Sequence, residues 1–593
     1  MMNSSIPTWD LTALYSSLDD PSLARDLKIA QTAFLDLARL TESSPTHADQ
    51  LPAILSEFNQ VALDFSTPAT YIDLKSMVEP LSLALSQKKQ WATDIKNLRD
   101  KLWTNLLTLL ENCSNKDFLL DDHPDLAAYQ YPIAEFQRLE QHRPAPELRN
   151  LMTAMQQNGG HGWASLRSQL DAAAAAPLQP DTPPLPLSQL RGLASSPEKE
   201  IRRMAYEAEL KLYPSYEIPM AACLNGIKGE AIQELSYKRY HSVEEEMLDV
   251  NKVSEETLTC MFRSIRAHLP HFQRYLKQKA SFLGHTSGLP WYDLLAPMPG
   301  IPANFSFEAA CEMLTDALRS FSPDLGQLAE KAINNRWIDA LPVSGKQSGA
   351  ICFDLPALRE NRILLNYGGS FRCIRTMAHE LGHAYHARCL DHIPLLLRDP
   401  PTPICETASL MNETIFLNKS LDLLPERQRF ALLESDLQEC TQTVLDIYSR
   451  YLFEKEVFAR RENHELLPNE LCGIMLDAQR ETFGDSLNPH YLHPYMWMCK
   501  VHYYIPEFHY YNYPYIFGLL LAKGLYAQYL EHPAGFPSIY HNLLSETCSG
   551  NLEDVLFRNQ IDICTQQFWD NALDLIAKDI SHWCDLADQR CKD

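Results

Sequence analysis

The chain has no basic opening stretch followed by an apolar run, and no segment long and apolar enough to span a bilayer. An export signal and a membrane anchor are therefore not expected. Positive charge is scarce: 52 Lys and Arg stand against 76 Asp and Glu, a formal charge of −24. Such a surface repels nucleic acid and anionic membranes, whose phosphates need cation contacts. The fifteen cysteines show no paired metal-binding spacing. An odd, unpatterned set in a chain without an export signal points to reduced thiols and a cytoplasmic location. No internal repeat or long charge block is present, and strand-like runs are few.

What is present is a globular composition, 45% hydrophobic and 22% charged over 593 residues. That length exceeds one compact core, so more than one lobe is expected. Stretches such as "LPAILSEFNQVALDFS" and "DKLWTNLLTLLENC" space their apolar residues three and four apart, which predicts helices. Prolines 177, 180, 183, 184 and 186 then exclude both helix interior and sheet ladder, predicting an extended connector. The expected division is a helical lobe over 1–187 and a second domain over 188–593. Beyond the connector, Ser196 is the expected N-cap of a new helix with Pro197 in its first turn, and helical patterns run to about residue 283. A long irregular segment, "GHTSGLPWYDLLAPMPGIPANF", follows.

Two short apolar runs, "GAICFD" (349–354) and "RILLNY" (362–367), predict a hairpin. Ser370 then caps a helix carrying "HELGH". On that helix His379 and His383 are four residues apart and leave the same face. Glu380, rotated by about 100°, can reach past a metal toward its water. Two imidazoles with an adjacent carboxylate suit zinc-assisted hydrolysis: the ion acidifies a water and Glu380 takes its proton. A third ligand must come from elsewhere. A third histidine ten residues after His379 is excluded, because Cys389 stands there. "RDPPTPICETASLMNE" offers Glu406 near the start of a second helix, with Glu413 two turns along the same face, in reach of a ligand imidazole.

At this point the sequence resembles the oligoendopeptidase F and thimet oligopeptidase family of zinc metallopeptidases. The resemblance rests on "HELGHAYH", "ETASLMNE" and "SGAICFD…RILLNY", and more weakly on "WDLTALY" and "WYDLLAP". It implies a mainly α, zincin-like fold, with two helical lobes around a deep substrate channel and a small β-sheet beside the active-site helix. It implies one Zn2+ per chain on His379, His383 and Glu406, with Glu380 as general base. His386 is expected to be a packed helix histidine, since a fourth ligand would fill the open vertex. The aromatic segment "KVHYYIPEFHYYNYPYIFGLLLAKGLY" resembles the family's carboxy-terminal stretch, implying that His502, Tyr511 and Tyr515 face the zinc and stabilise the oxyanion. Tyr504, Tyr510 and His509 are the alternatives.

The implied activity is endohydrolysis of short unstructured peptides, by Glu-assisted attack of zinc-bound water. Nucleic acid and membrane are not expected partners. "RILLNY" is read either as core or as an exposed edge able to pair with an extended peptide. Cys405, beside a ligand, is expected to be an inert buried thiol. A carboxypeptidase or dipeptidyl carboxypeptidase on the same metal site would need a cation for the terminal carboxylate, with Arg362, Arg372 and Arg375 as candidates. A peptide-binding protein with a structural zinc would have no use for Glu380.

Overall fold

The computed structural model describes residues 6–42, 50–79, 82–112, 128–298 and 305–590. Helices dominate, as the spacing of apolar residues predicts. The chain forms two compact units, each assembled from three separate stretches. One comprises 1–140, 302–422 and 528–561; the other comprises 141–301, 423–527 and 562–593. Two small sheets contain five strands among the described residues: β1 (Ala175–Pro177), β2 (Pro184–Pro186), β3 (Ile338–Asp339), β4 (Ile351–Leu355) and β5 (Glu360–Leu364).

The first unit is built on three long helices, Pro21–Glu42, Leu51–Val78 and Leu83–Asn112. Leu23, Leu27, Ala30, Phe34 and Leu37 recur every three or four residues and are fully buried. Phe34 meets Phe58 and Phe65 edge-on, with ring centroids 5.6 and 6.2 Å apart. Burying each such leucine or phenylalanine contributes about 1.5–3 kcal/mol. Leu364 of β5 and Leu397 join the same core.

The expected hairpin forms, with β4 and β5 antiparallel and Cys352 opposite Ile363. β5 also pairs in parallel with β3, giving the order β3-β5-β4. "RILLNY" therefore supplies a central strand, and its reading as an exposed edge is overturned. Near-continuous apolar residues suit a strand flanked on both sides. β3 and β4 are the outer strands. Ile363 gives its N–H to Trp337 on the β3 side, so Cys352, its non-bonded partner, turns its backbone N–H and C=O outward.

In the second unit the helix Glu255–Phe282 packs along Gln566–Arg590. Trp583 stacks on Phe430 at 5.3 Å in the buried interior. Buried charges are paired: Lys228 with Glu454 and Lys279 with Glu434, each at 2.6 Å, and Arg202 with Asp293 at 2.8 Å. Such pairs repay part of their desolvation only because the partners meet directly.

Three local expectations need correction. The proline-rich stretch is not a ladder-free connector, because β1 and β2 pair antiparallel across it. Leu187 N–H bonds Ala174 C=O, so the alternation leaves Pro177, Pro184 and Pro186 at non-hydrogen-bonded positions, where no N–H is required. The helix expected after Ser196 spans Lys199–Leu212, two residues later than Ser196 as cap would place it. Ser196 instead accepts a hydrogen bond from Glu198 N–H at 3.2 Å. The irregular segment after Phe282 contains one short 3-10 turn, Trp291–Asp293, and its residues 299–304 lie outside the described residues.

Candidate metal centre

The motif helix spans Phe371–Cys389, and the Ser370 side chain caps it by accepting from Cys373 N–H. His379 and His383 leave one face, as four-residue spacing dictates. Their Nε2 atoms are 3.2 Å apart. Glu406 follows the short helix Thr402–Cys405 and immediately precedes the helix Thr407–Leu423. Its Oε2 lies 3.3 Å from His379 Nε2 and 3.6 Å from His383 Nε2. Donors held 2.0–2.2 Å from one ion in tetrahedral geometry lie about 3.3–3.6 Å from each other. The three edges match, so the donor set fits a borderline cation such as zinc.

The electrostatics favour a cation at that point. Burial pushes Glu406 up, yet its contacts with His379 and His383 outweigh this and bring its carboxyl down to about 2. His379 is pushed down by burial but raised more by Glu406 and Glu413, to about 10. His383, with weaker compensation, is lowered by burial. Glu413 is buried and accepts from His379 Nδ1 at 2.6 Å, leaving Nε2 beside His383 and Glu406. Arg375 bonds the second Glu413 oxygen and holds that carboxyl below its ordinary value despite burial.

Glu380 is buried, and burial pushes its carboxyl up to about 7, with Glu406 and Glu413 adding to the rise and His379 opposing it. A carboxyl poised near neutrality can both accept and return a proton.

Several supporting residues escaped the sequence reading. Gly382 lies where the motif helix meets Thr407–Leu423: a Cβ there would stand 2.4 Å from Ser409 Cα and 2.5 Å from Ala408 O. The signal was available, since a glycine inside a helix costs about 1 kcal/mol and needs a packing reason. Ser409 donates to Glu406 Oε2 at 3.1 Å, and Asn412 donates across to Ala378 C=O at 3.2 Å. Hydrogen bonds between irregularly spaced side chains leave no periodic trace in sequence.

His386 is buried and bonded to Thr547 Oγ1 at 2.9 Å, apart from the three-donor cluster. Burial lowers its imidazole to about 4, which keeps it neutral. Cys405 faces the Pro400 and Pro401 carbonyls, and burial pushes its thiol up to about 12, leaving it inert. Of the arginines considered for a substrate carboxylate, Arg362 is buried against Glu360 and Arg375 is engaged by Glu413. Arg372 is the exposed one.

His502, Tyr511 and Tyr515 belong to the second unit and cluster with each other. The His502 ring lies 5.8 Å from Tyr511 and 6.0 Å from Tyr515. Tyr515 is 41% exposed, whereas the alternatives Tyr504 and Tyr510 are 2% and 3% exposed. His509 is tied up with Lys228 at 3.2 Å. Burial, with Arg450 and Lys500 nearby, lowers His502 so that its imidazole is neutral at neutral pH.

The mainly helical scaffold, with two histidines and an incoming glutamate beside a free carboxylate, defines a protein of the HExxH metallopeptidase type. Residues 192–575 match the model of peptidase family M3, and the chain belongs to that family. Oligopeptidase PepF of Bacillus subtilis (strain 168) is 26% identical over 379 residues, covering 63% of this chain and 55% of that protein. Group B oligopeptidase PepB of Streptococcus agalactiae is 24% identical over 387 residues, covering 64% and 63%. The chain thus spans less than two thirds of the length of these relatives. Among crystal structures, a protein of Chlamydophila abortus superposes with a TM-score of 0.85 at 20% identity, covering 98% of each chain. Oligoendopeptidase-F of Enterococcus faecium gives 0.66 at 17% identity, covering 96% of this chain and 98% of that one. At these identities the structural likeness establishes the fold alone.

Proposed function

We propose that this chain is a zinc-dependent oligoendopeptidase that cleaves internal bonds of short, unstructured peptides in the cytoplasm. The observation that carries the reading is the trio of donor atoms on His379, His383 and Glu406, 3.2 to 3.6 Å apart, with Glu380 one residue from a ligand. Membership of peptidase family M3 supports peptide hydrolysis and a metal. Thirteen free cysteines among the described residues accord with a reducing compartment.

Zinc on the three ligands would supply a Lewis acid that polarises the scissile carbonyl and makes water acidic. Glu380 accepts the proton of the attacking water and returns it to the leaving amine. Glu413 fixes His379 in the tautomer that offers Nε2, and Arg375 fixes Glu413. Strand β4 packs beside the motif helix, and its outward-turned backbone at Cys352 can pair with an extended peptide, giving affinity with little side-chain selectivity. Tyr515 and His502 are assigned as hydrogen-bond donors to the carbonyl oxygen as it gains charge, with Tyr511 stacked against the imidazole.

The test is mass spectrometry of a random peptide library digested by wild-type and Glu380→Gln protein, with and without chelator. Internal cleavage that chelator abolishes is expected, with Glu380→Gln retaining zinc and losing about 10²- to 10⁴-fold in turnover. Cleavage confined to free carboxyl termini, or untouched by chelator, would refute the proposal.

A further inference from the structure

A second cluster of three metal-binding side-chain types lies in the other compact unit and has no part in the proposed reaction. Glu209 lies on the helix Lys199–Leu212, Cys499 ends the short helix Met496–Cys499, and His493 precedes that helix. Their donor atoms lie within 4.8 Å of one another. His493 Nε2 is 3.3 Å from Glu209 Oε1, and Cys499 Sγ is 3.7 Å from the same oxygen. Nitrogen, oxygen and thiolate sulphur about one tetrahedral zinc ion stand roughly 3.4 to 3.6 Å apart.

The imidazole supplies the independent observation. His493 is 1% exposed, and neither ring nitrogen has a hydrogen-bond partner among the described residues. Nε2 sits at ion-pair distance from the Glu209 carboxylate without completing a hydrogen bond to it. A ring nitrogen whose lone pair points to a shared ion has its neighbouring ligand oxygen off axis in this way. Buried polar groups are otherwise almost always paired. Tyr213 closes the cluster: its hydroxyl donates to Glu209 Oε1 and lies 2.8 Å from Cys499 Sγ. A cavity of about 120 Å³ borders Glu209 and His493, leaving room for a water as fourth ligand.

Two cations stand nearby. Arg191 Nη1 is 3.6 Å from Glu209 Oε1, and Lys500 lines the same cavity. Both also interact with Asp446, so neither depends on Glu209 alone. Burial pushes the Cys499 thiol up to about 11, with Arg191 and Lys500 opposing the rise, so a bound cation rather than the protein alone must displace its proton. The simpler arrangement, a salt bridge between Arg191 and Glu209, leaves the buried imidazole with an ion-pair contact to Glu209 but no well-formed hydrogen bond.

We propose that Glu209, His493 and Cys499 hold a second zinc ion, distinct from that of His379, His383 and Glu406. Thiolate, imidazole and carboxylate are all ordinary zinc donors. On binding, Cys499 releases its thiol proton to solvent and a zinc–sulphur bond forms. The ion ties the Lys199–Leu212 helix to the end of Met496–Cys499, next to the turn Val501–Tyr504 that carries His502. Its role is structural.

The test uses full-length protein stripped of metal and reloaded with cobalt(II). The His379, His383 and Glu406 site contains no sulphur, so a thiolate-to-cobalt charge-transfer band in the near ultraviolet reports only on Cys499. Wild type is expected to bind two cobalt ions per chain and to show the band. Cys499→Ser should bind one and lose the band, while Glu406→Ala should lose the other ion and keep it. A folded wild-type chain that binds cobalt, in one equivalent or two, without the band overturns the proposal; one equivalent with the band leaves this site standing and removes the other. So does a band that survives Cys499→Ser. The wild-type spectrum decides even if a variant fails to fold, and it is independent of peptidase activity.

Discussion

Gly382→Ala would act on the metal centre through a single methyl group. The added Cβ would lie 2.4 Å from Ser409 Cα, where ordinary contact begins at 3.4 Å, so the two helix backbones must part by about 1 Å. Neither obstructing atom belongs to a side chain that can rotate away. Overpacking of this kind costs about 1–3 kcal/mol. Alanine recovers about 1 kcal/mol through its helix propensity, so the net loss of stability is small. The ligands are less tolerant. Metal sites accept distance errors of about 0.2 Å, and Glu406 immediately precedes the helix Thr407–Leu423 while both histidines sit on Phe371–Cys389. Metal retention under chelator should therefore fall steeply, and kcat/KM by at least about 100-fold. Chelator-challenged zinc content, peptide turnover and thermal unfolding measured on the same preparation separate the effects. Gly473→Ala is the control, since nothing lies within 4 Å of its Cβ, and a gain of about 0.5–1 kcal/mol is expected. A Gly382→Ala protein with wild-type zinc affinity and turnover would refute the close-approach argument.

Glu413→Ala should weaken zinc binding about 10- to 100-fold while sparing the fold, read by competition with a chelating dye. Tyr515→Phe should lower kcat by up to about 10²- to 10³-fold with little change in KM, and an unchanged kcat would remove that ring from the mechanism. Burial pushes Asp579 up to about 6, above the ordinary carboxylate range near 4, so the native state binds the extra proton in that window and its stability falls as pH rises through it. Asp579→Asn lacks this penalty; its melting temperature relative to wild type should climb between pH 4 and pH 7 and then level off.

The candidate metal centre is legible in the sequence because the chemistry it suggests is local. His379 and His383 share a helix face by spacing alone, and the break at Pro400, Pro401 and Pro403 marks where a new helix can deliver Glu406. The hairpin was legible from two apolar runs, but its place in the sheet was not. Whether β5 is central depends on β3, a two-residue strand whose partners no periodicity reveals. The proline-rich ribbon was misread because each proline was judged alone. Their offset, which leaves the bonded position to Leu185, is visible only once the register is known. Glu413 could be named as a partner of His379, whereas its tie to Arg375 depends on how two helices face each other. The Glu209, His493 and Cys499 cluster spans nearly 300 residues and carries no motif.

The bond from His386 to Thr547 joins residues 161 apart. As the protein emerges from the ribosome, the helix bearing His379 and His383 is complete long before that hydroxyl has been synthesised. Until the last stretch of its compact unit arrives, His386 must be satisfied by solvent, so the helix cannot be fully buried. Final packing of that helix is thereby pushed toward the end of translation.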